Sequence, residues 1–334
     1  MTQGVPAAVR ALAEADFSEV ARRFGAAGFT VGLPARGILT VRSGAVAQAA
    51  PRMASPASVL LSVGVHGDET GPIEMVAHVL EALSREPSAL AVDLMLCVGN
   101  IDAISQGKRF IDADLNRMFR SERGSLAGTA ESARADAMIA ATAGFFAGAG
   151  PERWHLDLHT AIRPSYYPAF AIVPELIAQG PKEKLISWMG AAGIGAIIMN
   201  PSSAGTYSYY SAEHHGAAAA TVELGRIGTL GQNDIGQFAD AQRALDALLR
   251  GGATQAGKAP HVFKVAQNII KLSESFSMNF GSETQNFTSA PRGMVIATDG
   301  DTTYTVQHES EMIVFPNPGV RPGLRAGMMV VRIA

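Results

Sequence analysis

Residues 59–70 read VLLSVGVHGDET, an almost unbroken apolar or small run that ends abruptly in His66, Asp68 and Glu69. Apolar on both faces, the segment 58–65 has the character of a parallel strand covered by helices on either side. In open α/β sheets, ligands bind outside the carboxyl ends of such strands. The polar residues therefore stand where chemistry is expected, and Pro72 suits the first turn of a helix over 72–85.

The same grammar continues outward. A helix is expected at 5–27, followed by two short strands around Pro34–Gly37. VDLMLCVG (92–99) reads as a second buried strand, and 101–124 as a long polar loop. A helix is expected at 128–148, then strand RWHLDLHT (153–160) and the apolar run IGAIIM (194–199). Past a Tyr/Ser-rich loop come strand GAAAATVELG (216–225) and a helix at 234–250. Strands alternating with helices predict an α/β domain with a largely parallel sheet. After the Gly/Ala/Lys stretch 250–260 the pattern changes to short alternating segments. The expected division is 1–250 for the α/β unit, with 1–45 its N-terminal helix and strands, and 251–334 for a small β domain. Covering the mouth of the site is a role open to that tail. No internal repeat is visible.

Bulk properties exclude several classes. At 47% hydrophobic and 17% charged, 334 residues can bury a substantial core. The net charge of −3 and pI near 6.2, without a basic stripe, give no electrostatic reason to expect nucleic acid. Cys97 is the only cysteine, which excludes an intramolecular disulfide and a Cys-rich zinc cluster and fits a reducing compartment. Arg10, Glu14 and Asp16 fall where a signal peptide needs apolar residues, and no stretch reaches 18 apolar residues. These features predict a cytoplasmic protein with no membrane span; no segment specifies an oligomeric state.

Polar groups close three predicted strands: His66 and Glu69 on the first, His159 on HLDLHT, Glu223 on TVEL. Two imidazoles and a carboxylate form a common catalytic zinc set, in which the ion lowers the pKa of water to about 7. Glu223 is then placed to act as general base. Each residue alone has a plainer reading: HxxE spacings arise by chance, His159 could be a hydrogen-bonded strand-end histidine, and Glu223 could pair with Arg226. Their joint occurrence at three strand ends favours one zinc site per chain. Strand alternation puts His155, Asp157 and His159 on one face, so Asp157 can orient a ligand imidazole while the deeper His155 reads as structural. Glu74 and His78, at i,i+4 spacing, read as a solvated helix face. Lys108, Arg109, Arg117, Arg120 and Arg123 load the polar loop with cations. The guanidinium forks of the four arginines suit a small carboxylate-bearing substrate, whereas Asp112 and Asp114 read as turn or local ion-pair residues.

Four segments, GVHGDETGPIE, GNIDAISQGKRFIDADLNRMF, HLDLHTAIRPS and TVELGRIGTLGQND, together resemble the succinylglutamate desuccinylase/aspartoacylase family of zinc hydrolases. The tail NFTSAPRGMVIATDGDTTYTVQHESEMIVFPNPGVRPGLRAGMMVV is similar to the family's C-terminal region. The resemblance implies a zinc-carboxypeptidase-like α/β/α sandwich with a mostly parallel mixed sheet and a small C-terminal β domain. It implies hydrolysis of an amide joining an acyl group to an acidic amino acid, here N-succinyl-L-glutamate to succinate and L-glutamate, the last step of arginine breakdown through succinylated intermediates. It matches His66, Glu69 and His159 to zinc ligands and Glu223 to the general base. Arg109 matches a residue assisting carbonyl polarisation, and Asn116 and Arg117 match substrate-carboxylate contacts. One departure is Pro164 where a glycine is expected. Alternatives are a deacylase of another N-acyl acidic amino acid such as N-acetylaspartate, a carboxypeptidase, or a catalytically silent zinc-binding relative.

Overall fold

The structure is a computed structural model that describes residues 4–43, 55–281 and 283–334. The expected 1–45 segment begins and ends outside these residues.

Strand β3 (Ser58–Val63) is buried along its whole length, as its two-sided apolar character predicts. It lies between β4 (Asp93–Val98) and β5 (Arg153–Ala161), parallel to both. β8 (Ala218–Arg226) runs parallel on the far side of β5. Outward from β4, β2 (Ile38–Arg42) and β1 (Thr30–Ala35) add antiparallel. Outward from β8, β6 (Ala169–Pro174) is antiparallel and β7 (Ala196–Asn200) returns parallel to β6. The sheet does not stop there. β9 (His261–Ile270) pairs with β7, and β15 (Arg325–Arg332), β14 (Ser310–Val314) and β11 (Thr288–Pro291) extend it to twelve strands. A second sheet of β10 (Ser277–Met278), β12 (Val295–Asp299) and β13 (Thr302–Thr305) completes the C-terminal unit.

Helices divide into two groups packed against the same central strands. α1 (Ala7–Ala13), α2 (Ser18–Ala26), α3 (Gly71–Arg85), α6 (Gln179–Ala191) and α8 (Ala239–Leu249) form one group; α5 (Ala130–Ala147) and α7 (Tyr207–His215) form the other. This is the predicted α/β/α arrangement. The main core joins both groups to the sheet; a smaller one mixes Ala161, Phe170 and Ile198 with Phe263, Phe287 and Met328 of the C-terminal unit. Each fully buried Leu, Val or Phe contributes about 1.5–3 kcal/mol relative to exposure.

Several expectations are corrected. The single helix over 5–27 is two helices: Ala15 turns left-handed (φ 57°), and Asp16 accepts from Ser18 N before α2 begins. The polar loop is partly helical, because Asn100 caps α4 (Ile101–Gln106) by accepting from Ala103 N. The Tyr/Ser-rich segment is not all loop, since its second half forms α7, which buries Tyr207 and Tyr209. β6 and α6 were not anticipated. Glu74 does not face solvent: at 4% exposure its carboxylate holds Gly231 N and Asn233 Nδ2 of the segment after β8.

Candidate metal and catalytic site

Three adjacent parallel strands, β3, β5 and β8, end together, and register sets His159 directly beside Glu223. The turn after β3 carries His66 and Glu69 to the same edge. Gly67 makes that turn possible, since a Cβ there would lie 2.4 Å from the backbone of Ala103 and Ile104. Gly67 N also donates to Arg109 O at 3.0 Å, tying the turn to the polar loop.

His66, Glu69, His159 and Glu223 are all buried, at 7% exposure or less. Nδ1 of His66 lies 2.9 Å from Glu69 Oε1, and Nδ1 of His159 lies 2.8 Å from Glu69 Oε2. The opposite nitrogens each meet an aspartate: His66 Nε2 lies 2.9 Å from Asp114 Oδ1, and His159 Nε2 lies 3.0 Å from Asp157 Oδ2. Both Nδ1 atoms thus point at one carboxylate while carboxylates fix the ring orientations, as at metal sites where outer carboxylates orient ligand imidazoles. One ligand atom from each of His66, Glu69 and His159 falls within 4.8 Å of the other two. Two neutral nitrogens and a carboxylate suit a divalent ion with an open position. The donor set fits the group.

Electrostatics agree with a site built for a cation. Burial works against every charge here, yet it is outweighed at most positions. Glu69 is held well below the usual carboxylate range by His66 and His159. His159 is raised well above its ordinary value by Asp157 and Glu69, and His66 more modestly by Glu69 and Asp114. Glu223 is the exception. Burial, and then the charge of Glu69, push its carboxyl up to about 7, where a group exchanges protons readily near neutral pH.

Arg109 donates from Nη1 to Glu69 Oε1 at 2.7 Å, stands 3.2 Å from His66 Nε2, and lies 3.9 Å from Asp68. Asn116 is buried; its Oδ1 accepts from Tyr207 N at 2.8 Å, whereas its Nδ2 has only long contacts, 3.4 Å to His159 and 3.5 Å to Asp157. Arg117 donates to Asn116 O at 2.7 Å and lies 3.8 Å from Asp114. Gly205 (φ 74°) packs on the Arg117 backbone, where a Cβ would stand 2.6 Å from the carbonyl oxygen. His155, bonded to Ser62 and Ser211 away from the ligand atoms, is structural. Lys108, Arg120 and Arg123 stay out of the cluster; Arg123 binds Asp136 instead.

Two contributors escaped the sequence reading. Asp114 is more than a turn residue: it caps Asn116 N at 2.9 Å and holds His66. Glu131, 1% exposed, folds the Arg109–Arg117 loop by accepting from Ile111 N at 2.7 Å, Asp112 N at 3.1 Å, Ala113 N at 3.2 Å and Asn100 Nδ2 at 2.9 Å. A glutamate in a helix's first turn was its only sequence signal. A separate cleft of about 1050 Å³ between α3, α6, α8 and residues 253–259 contains none of the site residues.

Comparison with known proteins agrees with this geometry. The sequence model of the succinylglutamate desuccinylase/aspartoacylase catalytic domain matches residues 55–249, and that of the family's barrel-sandwich hybrid domain matches 258–333. The succinylglutamate desuccinylase of Burkholderia orbicola is 44% identical over 286 residues, 85% of this chain and 83% of that protein. Among solved structures, the succinylglutamate desuccinylase of Vibrio cholerae superposes with a TM-score of 0.83 at 32% identity, covering 92% of this chain and 88% of that one. The enzyme of the same name from Chromobacterium violaceum gives 0.78 at 33% identity, covering 95% and 98%. The fold is zinc-carboxypeptidase-like, with a C-terminal barrel-sandwich hybrid domain.

Proposed function

The chain belongs to the succinylglutamate desuccinylase/aspartoacylase family, and we propose that it hydrolyses N-succinyl-L-glutamate to succinate and L-glutamate. The observation that carries this reading is that a chain 44% identical to a succinylglutamate desuccinylase also buries an intact His66–Glu69–His159 set beside Glu223. His66, Glu69 and His159 would hold one zinc ion per chain. When bound, zinc supplies a Lewis acid and an acidified water.

The protein's own groups do the rest. Glu223, poised near 7 by burial, takes a proton from the attacking water and returns it to the departing amine of glutamate. Arg109, anchored on Glu69, reaches the scissile carbonyl and stabilises the negative charge that develops on its oxygen. Asn116, through Nδ2, and Arg117 contact the carboxylates of a substrate that carries three. Asp157 and Asp114 keep the imidazoles oriented. We assign residues 1–250 to the catalytic domain and 251–334 to the C-terminal β domain, a division supported by family matches that end at 249 and resume at 258. Among the described residues no helix is long and apolar enough to cross a membrane, and the lone free, buried Cys97 suits the cytoplasm.

A kinetic panel of N-succinyl-L-glutamate, N-acetyl-L-aspartate and a short peptide tests the assignment, with zinc-loaded enzyme. The expected result is the highest kcat/KM for N-succinyl-L-glutamate. Equal or faster turnover of either competitor rejects it.

A further inference from the structure

The loop that follows His159 leaves β5 at the site itself. Thr160 N donates to Glu69 Oε2 at 3.1 Å, and Ala161 O accepts from Ile227 N at 3.2 Å. The loop thereby borders the carboxyl edge of the strands, where ligands bind in such sheets. Ile162 is 53% exposed and Tyr166 64%, so burial of these side chains does not fix it. What fixes it comes from the C-terminal unit. Asn286, fully buried, donates from its backbone N to Pro164 O at 2.9 Å, and its backbone O accepts from Tyr166 N at 3.2 Å. Ser165 and Asn286 thus pair as a parallel bridge. Arg163 adds a longer bond to Gly281 O at 3.4 Å.

Asn286 is itself held from two sides. Its side-chain Oδ1 accepts from Phe315 N, just past β14, at 2.8 Å. The next residue, Phe287, sets its ring 4.8 Å from that of Tyr167 in the loop and 5.3 Å from that of Phe170. Phe170 is the β6 residue in register with Glu223. Phe287 and Phe315 both take a left-handed backbone, φ 66° and 54°, which bulky residues rarely adopt. Such positions persist where the surroundings over-determine them, and they gather at functional sites. Here both adjoin one asparagine, which precedes Phe287 in sequence and holds the amide of Phe315. Nδ2 of Asn286 has no partner among the described residues, so the bond from Phe315 is the side-chain contact that a substitution removes.

We propose that Asn286 is a positioning residue for the reaction: from the C-terminal unit it latches residues 162–166 onto the rim of the site, and the latched loop forms part of the surface that binds the acyl amino acid. Releasing the latch weakens substrate binding and leaves the metal set intact, because His66, His159 and Glu69 are held separately by Asp114, Asp157 and Arg109. The inference rests on the N-succinyl-L-glutamate reading above and adds to it a residue from outside the catalytic α/β unit.

The test compares wild type with Asn286→Leu, which keeps the size and both backbone groups of the latch but removes Oδ1. The readouts are kcat and KM on N-succinyl-L-glutamate, zinc per chain, and the rate of chymotryptic cleavage between Tyr166 and Tyr167. KM should rise about 10- to 100-fold with kcat and zinc content largely kept, and cleavage should quicken about tenfold as the loop opens more often. A second variant, Ser165→Cys/Asn286→Cys, keeps the test decisive if the first folds poorly. Paired backbones lie about 4.8 Å apart, inside the span of about 4.4–6.8 Å between Cα atoms that a disulfide bridges, and buried Cys97 stays out of the exchange. Oxidised, this protein should show a KM near that of wild type; a phosphine reductant should raise it to the Asn286→Leu level. Equal KM in the two redox states, or an Asn286→Leu protein with wild-type KM or wild-type cleavage, overturns the proposal. So does a joint fall of kcat, zinc content and unfolding midpoint, the mark of a merely structural role. Wild type inactive on N-succinyl-L-glutamate withdraws the functional reading, whereas the cleavage rates still decide whether Asn286 holds the loop.

Discussion

Replacing Glu223 by Gln isolates a carboxyl group at the site whose ionisation burial resists. The ordinary carboxyl value of 4.5 is pushed to about 7 by burial and by Glu69, against the opposing pull of His159, His66 and Arg109. Since the folded value lies above the unfolded one, the contribution of Glu223 is most favourable below the unfolded pKa and is lost as pH rises through the folded pKa. A tenfold change in an acid's ionisation equilibrium corresponds to roughly 1.4 kcal/mol, so metal-free wild type should lose about 3 kcal/mol relative to Glu223→Gln between about pH 4.5 and 7, with no further change above. Glu223 is 7% exposed, so solvent screening does not erode this figure much. Gln preserves the volume and does not titrate, which makes the difference between the two proteins a direct readout. In urea titrations with chelator present, a slope near 3 kcal/mol/M converts the effect into a wild-type midpoint that falls by about 1 M relative to that of the variant between pH 5 and 8. Adding zinc should narrow the gap, because a nearby divalent cation favours the ionised carboxylate. Parallel midpoint curves for the two metal-free proteins from about pH 5 to 8 would refute the claim that desolvation sets the Glu223 pKa.

Three further outcomes are expected. Glu223→Ala should bind zinc at wild-type stoichiometry by elemental analysis while kcat drops about 10²–10⁴-fold; undiminished turnover removes Glu223 from the chemistry. Asp114→Asn keeps the cap on Asn116 N but strips the charge from His66 Nε2, so zinc affinity measured against a competing chelator should fall about 10- to 100-fold. An unchanged affinity would reduce Asp114 to a turn residue. Glu131→Ala orphans the amides of Ile111, Asp112 and Ala113 together with Asn100 Nδ2. It should cost at least about 2–3 kcal/mol of stability in chemical unfolding, and a wild-type midpoint would show that the loop is held by other contacts.

How much of this was legible in the sequence follows from where each signal resides. β3, β5 and β8 were readable because central parallel strands are apolar on both faces, so the change to His66, His159 or Glu223 at their ends is visible in the linear text. The metal set follows from those ends once the strands are neighbours. α7 was not readable: Ser and Tyr favour helices weakly, and what holds this one is tertiary, Tyr207 stacking on Phe119 at 4.3 Å and bonding Thr142 at 2.6 Å. The charged residues divide the same way. Glu74, Glu131 and Asp114 occupy positions that local patterning assigns to solvent or to turns, because a lone charge surrounded by ordinary neighbours carries no mark of burial. Their roles appear only when another segment closes over them: the 228–233 stretch over Glu74, the Arg109–Arg117 loop over Glu131, His66 against Asp114. Desolvation of a charge is thus a relation between distant segments, whereas hydrophobic periodicity is a property of one. Each of these three charges gained a partner when it was covered, as the cost of burying an ion requires.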